Sequence, residues 1–223
     1  MVTPVERRYL ANEVVRKLRT EILTGNITPG TRLLDQDISA RMRTSRGPVR
    51  DALIQLEHEG LVRREPGRGA TVVEMSIDDV EEVCSIRLAL EQLAVKYAIE
   101  RAAEEDLARL DEAVQRLRES LENGYSLLDA VDLDLGFHEE YLKAAKHHRL
   151  LEMWRTIKPQ IWFLIYSRKA YTKETFEEAI RAHADIVDAI RRKDHRQGAA
   201  VVKHTLGQGY KNLAAIYRSA RPS

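Results

Sequence analysis

Apolar residues recur at helical steps through most of the chain, and the exceptions are confined to one short stretch. Leu10, Val14, Leu18 and Ile22 fall at i, i+4 steps, which predicts a helix from about Val5 to Leu23, ended at Gly25 before the turn ITPG. A short helix is predicted from about Asp35 to Arg43. A third follows Thr44-Ser45, with Ser45 as its N-cap and Pro48 in the first turn, where the missing N–H breaks no bond. Val49, Leu53, Leu56 and Leu61 then face a core. In GLVRREPGRGATVVE, the β-prone pieces LVRR and ATVV flank a turn containing Pro66, Gly67 and Gly69, so this stretch reads as a β-hairpin.

At Ser76 the texture changes. S-I-D-D-V-E-E opens a helix with a capping-box-like start. Amphipathic stretches then cover roughly residues 78–101, 104–122, 127–146, 148–170, 173–193 and 195–218, broken at Gly124, His147-His148, Tyr171-Thr172 and Asp194. An all-α antiparallel bundle buries such faces economically. The expected fold is therefore mainly α: a winged helix-turn-helix over residues 1–75 and a helical bundle over 76–223.

Composition sharpens this only in places. With 223 residues, 43% of them apolar and 32% charged, the chain can build one large core or two small ones. It has no run of eighteen apolar residues and no hydrophobic stretch in MVTPVERRYL, so neither a membrane span nor secretion is expected, and the cytoplasm is the expected location. A lone cysteine, Cys84, fits a reducing compartment and reads as a small helix residue. The net charge of +1 conceals a local concentration: between Ile38 and Arg50 stand four arginines and no acid.

In a winged helix-turn-helix the third helix enters the major groove by its N-terminal end. Arginine suits that place, because its fork can pair with guanine or with phosphate. Arg46 opens the helix and Arg50 follows one turn later on the same face. Ser45 and the Gly47 backbone can approach phosphates, and Arg68 at the hairpin tip can reach a minor groove or a phosphate. The stretch PGTRLLDQDISARMRTSRGPVRDALIQLEHEGLVRREPGRGATVV resembles the DNA-binding domain of the GntR family of bacterial transcription regulators, through its PGxxL turn, SRxPVRxAL helix and LxxEGLVxxxxxxG wing. The resemblance implies DNA contacts from Arg46 and Arg50, with Ser45, Gly47, Thr31, Arg32, Gly67 and Arg68 as secondary candidates. It also implies a homodimer on a palindromic double-stranded operator. Arg43 departs from the pattern: glycine is usual before the Thr-Ser pair, since the turn favours a left-handed conformation. Either Arg43 accepts that conformation at a cost of about 1 kcal/mol or the turn rearranges slightly, and with the rest of the motif intact the first is expected. Gln36 stands where related sequences carry a longer, charged reader.

In the helical half, His138 follows Asp134 by four residues and shares a stripe with Val131, Leu135 and Leu142, while His183 shares one with Phe176, Ile180, Val187 and Ile190. His204 lies off the main stripe of its helix. Inward histidines can be satisfied core residues. Alternatively, an Asp oxygen and three imidazoles suit zinc, nickel, iron, cobalt or manganese. The segments VEEVCSIRLALEQLAVKYA, DLGFHEEYLKAA, AHADIVDAIRRKD and VVKHTLGQGYKNL are similar to the FCD effector domain of the FadR-like subfamily, many of whose members hold a divalent metal. That resemblance implies Asp134, His138, His183 and His204 as metal ligands, with zinc the first expectation. Arg87, on an apolar stripe, needs an anion. It either pairs internally, with Glu91 or another acid, or holds the carboxylate of a small organic acid effector. Trp162 and Tyr166 either line the same cavity or pack in the core. His58, His147, His148 and His195 need no special role.

The expectation is a transcription regulator, a repressor by family habit, and not an enzyme. Two alternatives stand beside it: the same regulator with a metal-free pocket for an apolar or acyl effector, and a metal-dependent hydrolase.

Overall fold

A computed structural model describes residues 4–65 and 69–219, and they divide into two compact units, Met1–Met75 and Ser76–Ser223. In the first unit, α1 (Pro4–Leu23) and α3 (Arg46–His58) pack together, with α2 (Asp35–Arg41) against α3. Val14, Leu18, Ile22, Val49, Leu53, Leu56 and Leu61 are all buried there, as the helical periodicity predicts.

The wing is a three-stranded antiparallel sheet in the order β1-β3-β2, built from β1 (Arg32–Leu33), β2 (Val62–Glu65) and β3 (Gly69–Val72). The hairpin was legible in the sequence, whereas the two-residue β1, too short to show a period, was not. Arg32 pairs with Thr71 and Leu33 with Ala70. Gly69 makes this possible. Its φ is +84°, and a Cβ on it would sit 2.4 Å from the Leu33 carbonyl oxygen, so only glycine lets β3 approach β1 so closely. Gly67 and Arg68, the wing candidates, lie outside the described residues.

The second unit contains, among the described residues, six helices: α4 (Ile77–Arg101), α5 (Glu104–Glu122), α6 (Leu127–Ala144), α7 (His148–Ser167), α8 (Lys173–Arg191) and α9 (His195–Ser219). Helix α4 lies along α9 and also meets α6, α7 and α8, while α5 packs on α6 and α8. Capping bonds fix several starts. The Ser76 hydroxyl accepts from the Asp79 N–H (3.1 Å) while the Asp79 carboxylate accepts from the Ser76 N–H (2.7 Å). Thr172 forms the same reciprocal pair with Thr175 at α8, while at α6 the Ser126 hydroxyl accepts from the Asp129 N–H. Pro159 withholds one backbone donor from the middle of α7.

Candidate functional site

The turn between α2 and α3 aims the arginines. Met42 closes α2, and Arg43 follows with φ +51°. The Arg43 N–H donates to the Ala40 carbonyl (3.3 Å) and the Thr44 N–H to the Ser39 carbonyl (3.0 Å), the paired bonds of a Schellman motif whose left-handed position is ordinarily glycine. Ser45 occupies the N-cap position of α3, as its sequence assignment has it, but its side chain makes no capping bond. Its hydroxyl is left exposed at the helix N-terminus, beside backbone donors suited to an anion.

Arg46 and Arg50 are both exposed on the face that begins there. Arg46 donates to Gln36 Oε1 (3.3 Å), and Arg50 pairs with Asp35 (2.8 Å). Such exposed contacts are worth about 0–1 kcal/mol, so a phosphate or base edge can displace them cheaply. Arg41 pairs with Glu21 at 2.8 Å. Thr31 shares a hydroxyl contact with Thr28 (3.0 Å), and Arg32 is exposed on β1. Sequence reasoning missed Arg7. From α1 it grips Asp51 with two nitrogens (2.7 and 2.8 Å) and lies 3.6 Å from where a Cβ on Gly47 would stand, so it borders the start of α3. No spacing rule links positions 44 residues apart.

The second unit holds a cavity of about 520 Å³ whose walls include Cys84, Arg87, Asp134, Tyr171, His183 and His204. Trp162 and Tyr166 are not among its lining residues. They stack on each other at 4.5 Å, and the Trp162 indole donates to Asp132 (2.6 Å).

At the cavity's inner end, α6 supplies Asp134 and His138, and α8 supplies His183, all buried. His183 Nε2 lies 3.3 Å from His138 Nε2 and 3.3 Å from Asp134 Oδ1, and His138 Nε2 is 3.8 Å from Asp134 Oδ2. Metal–nitrogen bonds of about 2.0–2.1 Å in a tetrahedron put neighbouring ligands about 3.4 Å apart, so these spacings suit one divalent ion. Asp134 Oδ2, His138 Nδ1 and His183 Nδ1 have no hydrogen-bond partner, although buried donors and acceptors normally find one. Burial pushes the His183 ring down to about 3, against the opposing pull of Asp134, so the ring stays neutral and keeps a lone pair. Tyr171 is held protonated by burial and by the neighbouring charge of Asp134.

His204 is exposed on α9 and lines the cavity, and the three-residue cluster does not include it. Arg87 takes the internal partner: its Nε donates to Glu91 at 2.7 Å, yet the side chain still lines the cavity.

A winged helix-turn-helix with exposed arginines at the start of its third helix defines a DNA-binding protein, and the comparisons agree. Residues 10–72 match the family of bacterial regulatory proteins, gntR family, and residues 82–208 match the FCD domain. The chain belongs to the GntR family and carries an FCD domain. The gluconate operon transcriptional repressor of Bacillus subtilis is 30% identical over 81% of this chain and 75% of its own length. The transcriptional repressor RspR of Escherichia coli is 29% identical over 82% and 79%. The solved structure of Escherichia coli McbR/YncC shares the fold, with a TM-score of 0.75 at 24% identity over 99% of this chain and 100% of that one. This chain is a DNA-binding transcription regulator and not an enzyme. No helix among the described residues is long and apolar enough to cross a membrane.

Proposed function

We propose that the chain is a cytoplasmic repressor whose grip on a palindromic operator is set by a small carboxylate bound beside a divalent metal. The observation that carries this reading is the buried cluster of Asp134, His138 and His183, with ligand-like spacings and an unpartnered carboxylate oxygen, opening onto a cavity that Arg87 also lines. Asp134, His138 and His183 hold the ion, with His204 recruited from the same cavity wall as the fourth ligand. Zinc is the first expectation from the donor set, ahead of nickel, manganese, iron or cobalt. The ion supplies a Lewis-acid contact for effector oxygens. The Arg87 fork, still at the wall, pairs with the effector carboxylate.

On the DNA side, Arg46 and Arg50 read bases in the major groove. Ser45, the Gly47 backbone, Thr31, Arg32, Gly67 and Arg68 hold phosphates or the minor groove. A homodimer presents two such modules to half-sites about one helical turn apart. Effector binding biases two arrangements of that dimer, which is the coupling between pocket and operator.

The test is a thermal-shift screen of small organic acids, with and without divalent metal, on chelator-treated protein. The relative named for a gluconate operon argues for including sugar acids. Stabilisation by zinc, increased further by a carboxylate, supports the reading. Indifference of the melting curve to both chelator and added metal removes the metal.

A further inference from the structure

Glu91 stands one turn after Arg87 on α4 and is fully buried, with 0% exposure. An isolated carboxylate in such a place would be neutral. This one accepts hydrogen bonds from three donors on three helices and lies beside a fourth group, the His138 ring. Oε1 accepts from Arg87 Nε (2.7 Å) and Trp154 Nε1 (3.2 Å), while Oε2 accepts from the Tyr141 hydroxyl and lies 2.7 Å from His138 Nδ1. The His138 contact is one of distance and charge, with no directed hydrogen bond from Nδ1. Burial alone would raise the carboxyl pKa, but His138, Arg87 and Tyr141 together hold it well below the usual carboxylate range. Two of these four neighbours, Arg87 and His138, belong to the site proposed above.

We propose that Glu91 is a positioning residue that sets both halves of that site: Oε2 holds the His138 proton on Nδ1, so that Nε2 is offered to Asp134 and His183, and Oε1 fixes Arg87 at the cavity wall. The consequence for metal rests on the proposed function, whereas the consequence for His138 does not. A neutral imidazole carries one N–H, and the nitrogen facing a carboxylate takes it. The other nitrogen is the one 3.3 Å from His183 Nε2. A partner of this kind fixes the ring's orientation and raises its basicity as a ligand. An ion pair serving stability alone needs only Arg87. Here Tyr141 and Trp154 occupy the remaining acceptor positions, which stops the carboxylate from turning away from His138.

Nitrogen-15 histidine spectra of the full-length, metal-free chain at mildly alkaline pH provide the first measurement. His138 is expected as the Nδ1–H tautomer, and finding the Nε2–H tautomer in the unsubstituted chain overturns the proposal without any variant. Glu91→Gln supplies the second measurement. Because it leaves Arg87 buried without a charge partner, the neutral pair Arg87→Met with Glu91→Gln is made beside it. In whichever variant keeps its helical circular dichroism, His138 is expected to become a mixture of tautomers, and zinc affinity by competition titration to fall about 10- to 100-fold. A folded variant with the original tautomer and the original zinc affinity sinks the assignment. If the unsubstituted chain binds no zinc, the metal reading fails, while the tautomer still decides the role of Glu91.

Discussion

Arg43 holds a left-handed conformation with φ +51°, in the position of the α2–α3 turn that glycine ordinarily fills. An L-residue there costs about 1–2 kcal/mol, because its Cβ crowds the following carbonyl. Glycine removes that cost but carries about 0.4–1 kcal/mol more backbone entropy in the unfolded chain. Arg43 also places a positive charge at the negative end of α2, worth about 0.3–1 kcal/mol. Comparing Arg43→Gly with Arg43→Ala cancels the charge, since both variants lose it. The expected difference is about 0.5–1 kcal/mol in favour of glycine. A melting curve would mix the transitions of two units, so the assay is hydrogen exchange of the α2 and α3 amides. Their opening constants should differ about 2- to 5-fold between the variants. If Arg43→Gly exchanges as fast as Arg43→Ala, or faster, the conformation is not strained and the reasoning fails. Both variants, measured on the operator, should also lower the salt slope of binding by about 1 if the Arg43 side chain touches a phosphate.

Arg50→Ala is expected to weaken binding to the chain's own upstream DNA by about 1–3 kcal/mol while leaving stability almost unchanged, since its pair with Asp35 is exposed; equal operator affinity in a gel-shift titration removes Arg50 from the interface. Asp106, buried, accepts from the Ala103 N–H (3.0 Å) and pairs with Lys146 (2.5 Å) and Arg109. Burial pulls its carboxyl up, but these partners hold it below the usual aspartate value. A depressed folded pKa means stability that is present above the unfolded aspartate value and lost as pH falls through the folded one. Asp106→Asn should therefore be destabilised at neutral pH and converge on the parent in acid, and a constant gap between the two chains in hydrogen exchange of the α5 amides across an acid pH series would contradict this. Gly198 on α9 leaves no room: an added Cβ would meet Ile99 Cδ1 at 2.8 Å and Val95 Cγ2 at 3.2 Å, both on α4. Gly198→Val should cost about 1–3 kcal/mol in denaturant unfolding, and an unchanged midpoint would show that α4 and α9 can part freely.

Periodicity located the helices because each buries one continuous face, and a face repeats along the sequence. It also located the inward histidines: His138 and His183 lie on apolar stripes and are buried, whereas His204, off its stripe, is exposed. The same logic marks Arg87 as a charge on an apolar helix face and offers Glu91 as one partner for it, but it does not show what else satisfies Glu91. The donors to Glu91 come from positions 4, 50 and 63 residues away in sequence, from α4, α6 and α7. Only packing brings them together, and no spacing rule encodes it. Strand β1 and Arg7 escaped for the same reason, since each gains its role from a partner distant in the chain. Arg43 is the opposite case, because its anomaly is local and was legible as a missing glycine. The structure adds that it is not isolated. Lys146, Lys169 and Lys193 also stand at positive φ, each just beyond a helix end and each donating its N–H three residues back. A basic side chain at these ends meets the negative pole of the helix, which offsets part of the backbone strain. This chain thus repeatedly closes helices with lysine or arginine where glycine would be easier, and in the α2–α3 turn that habit adds one more positive charge beside the helix proposed to read DNA.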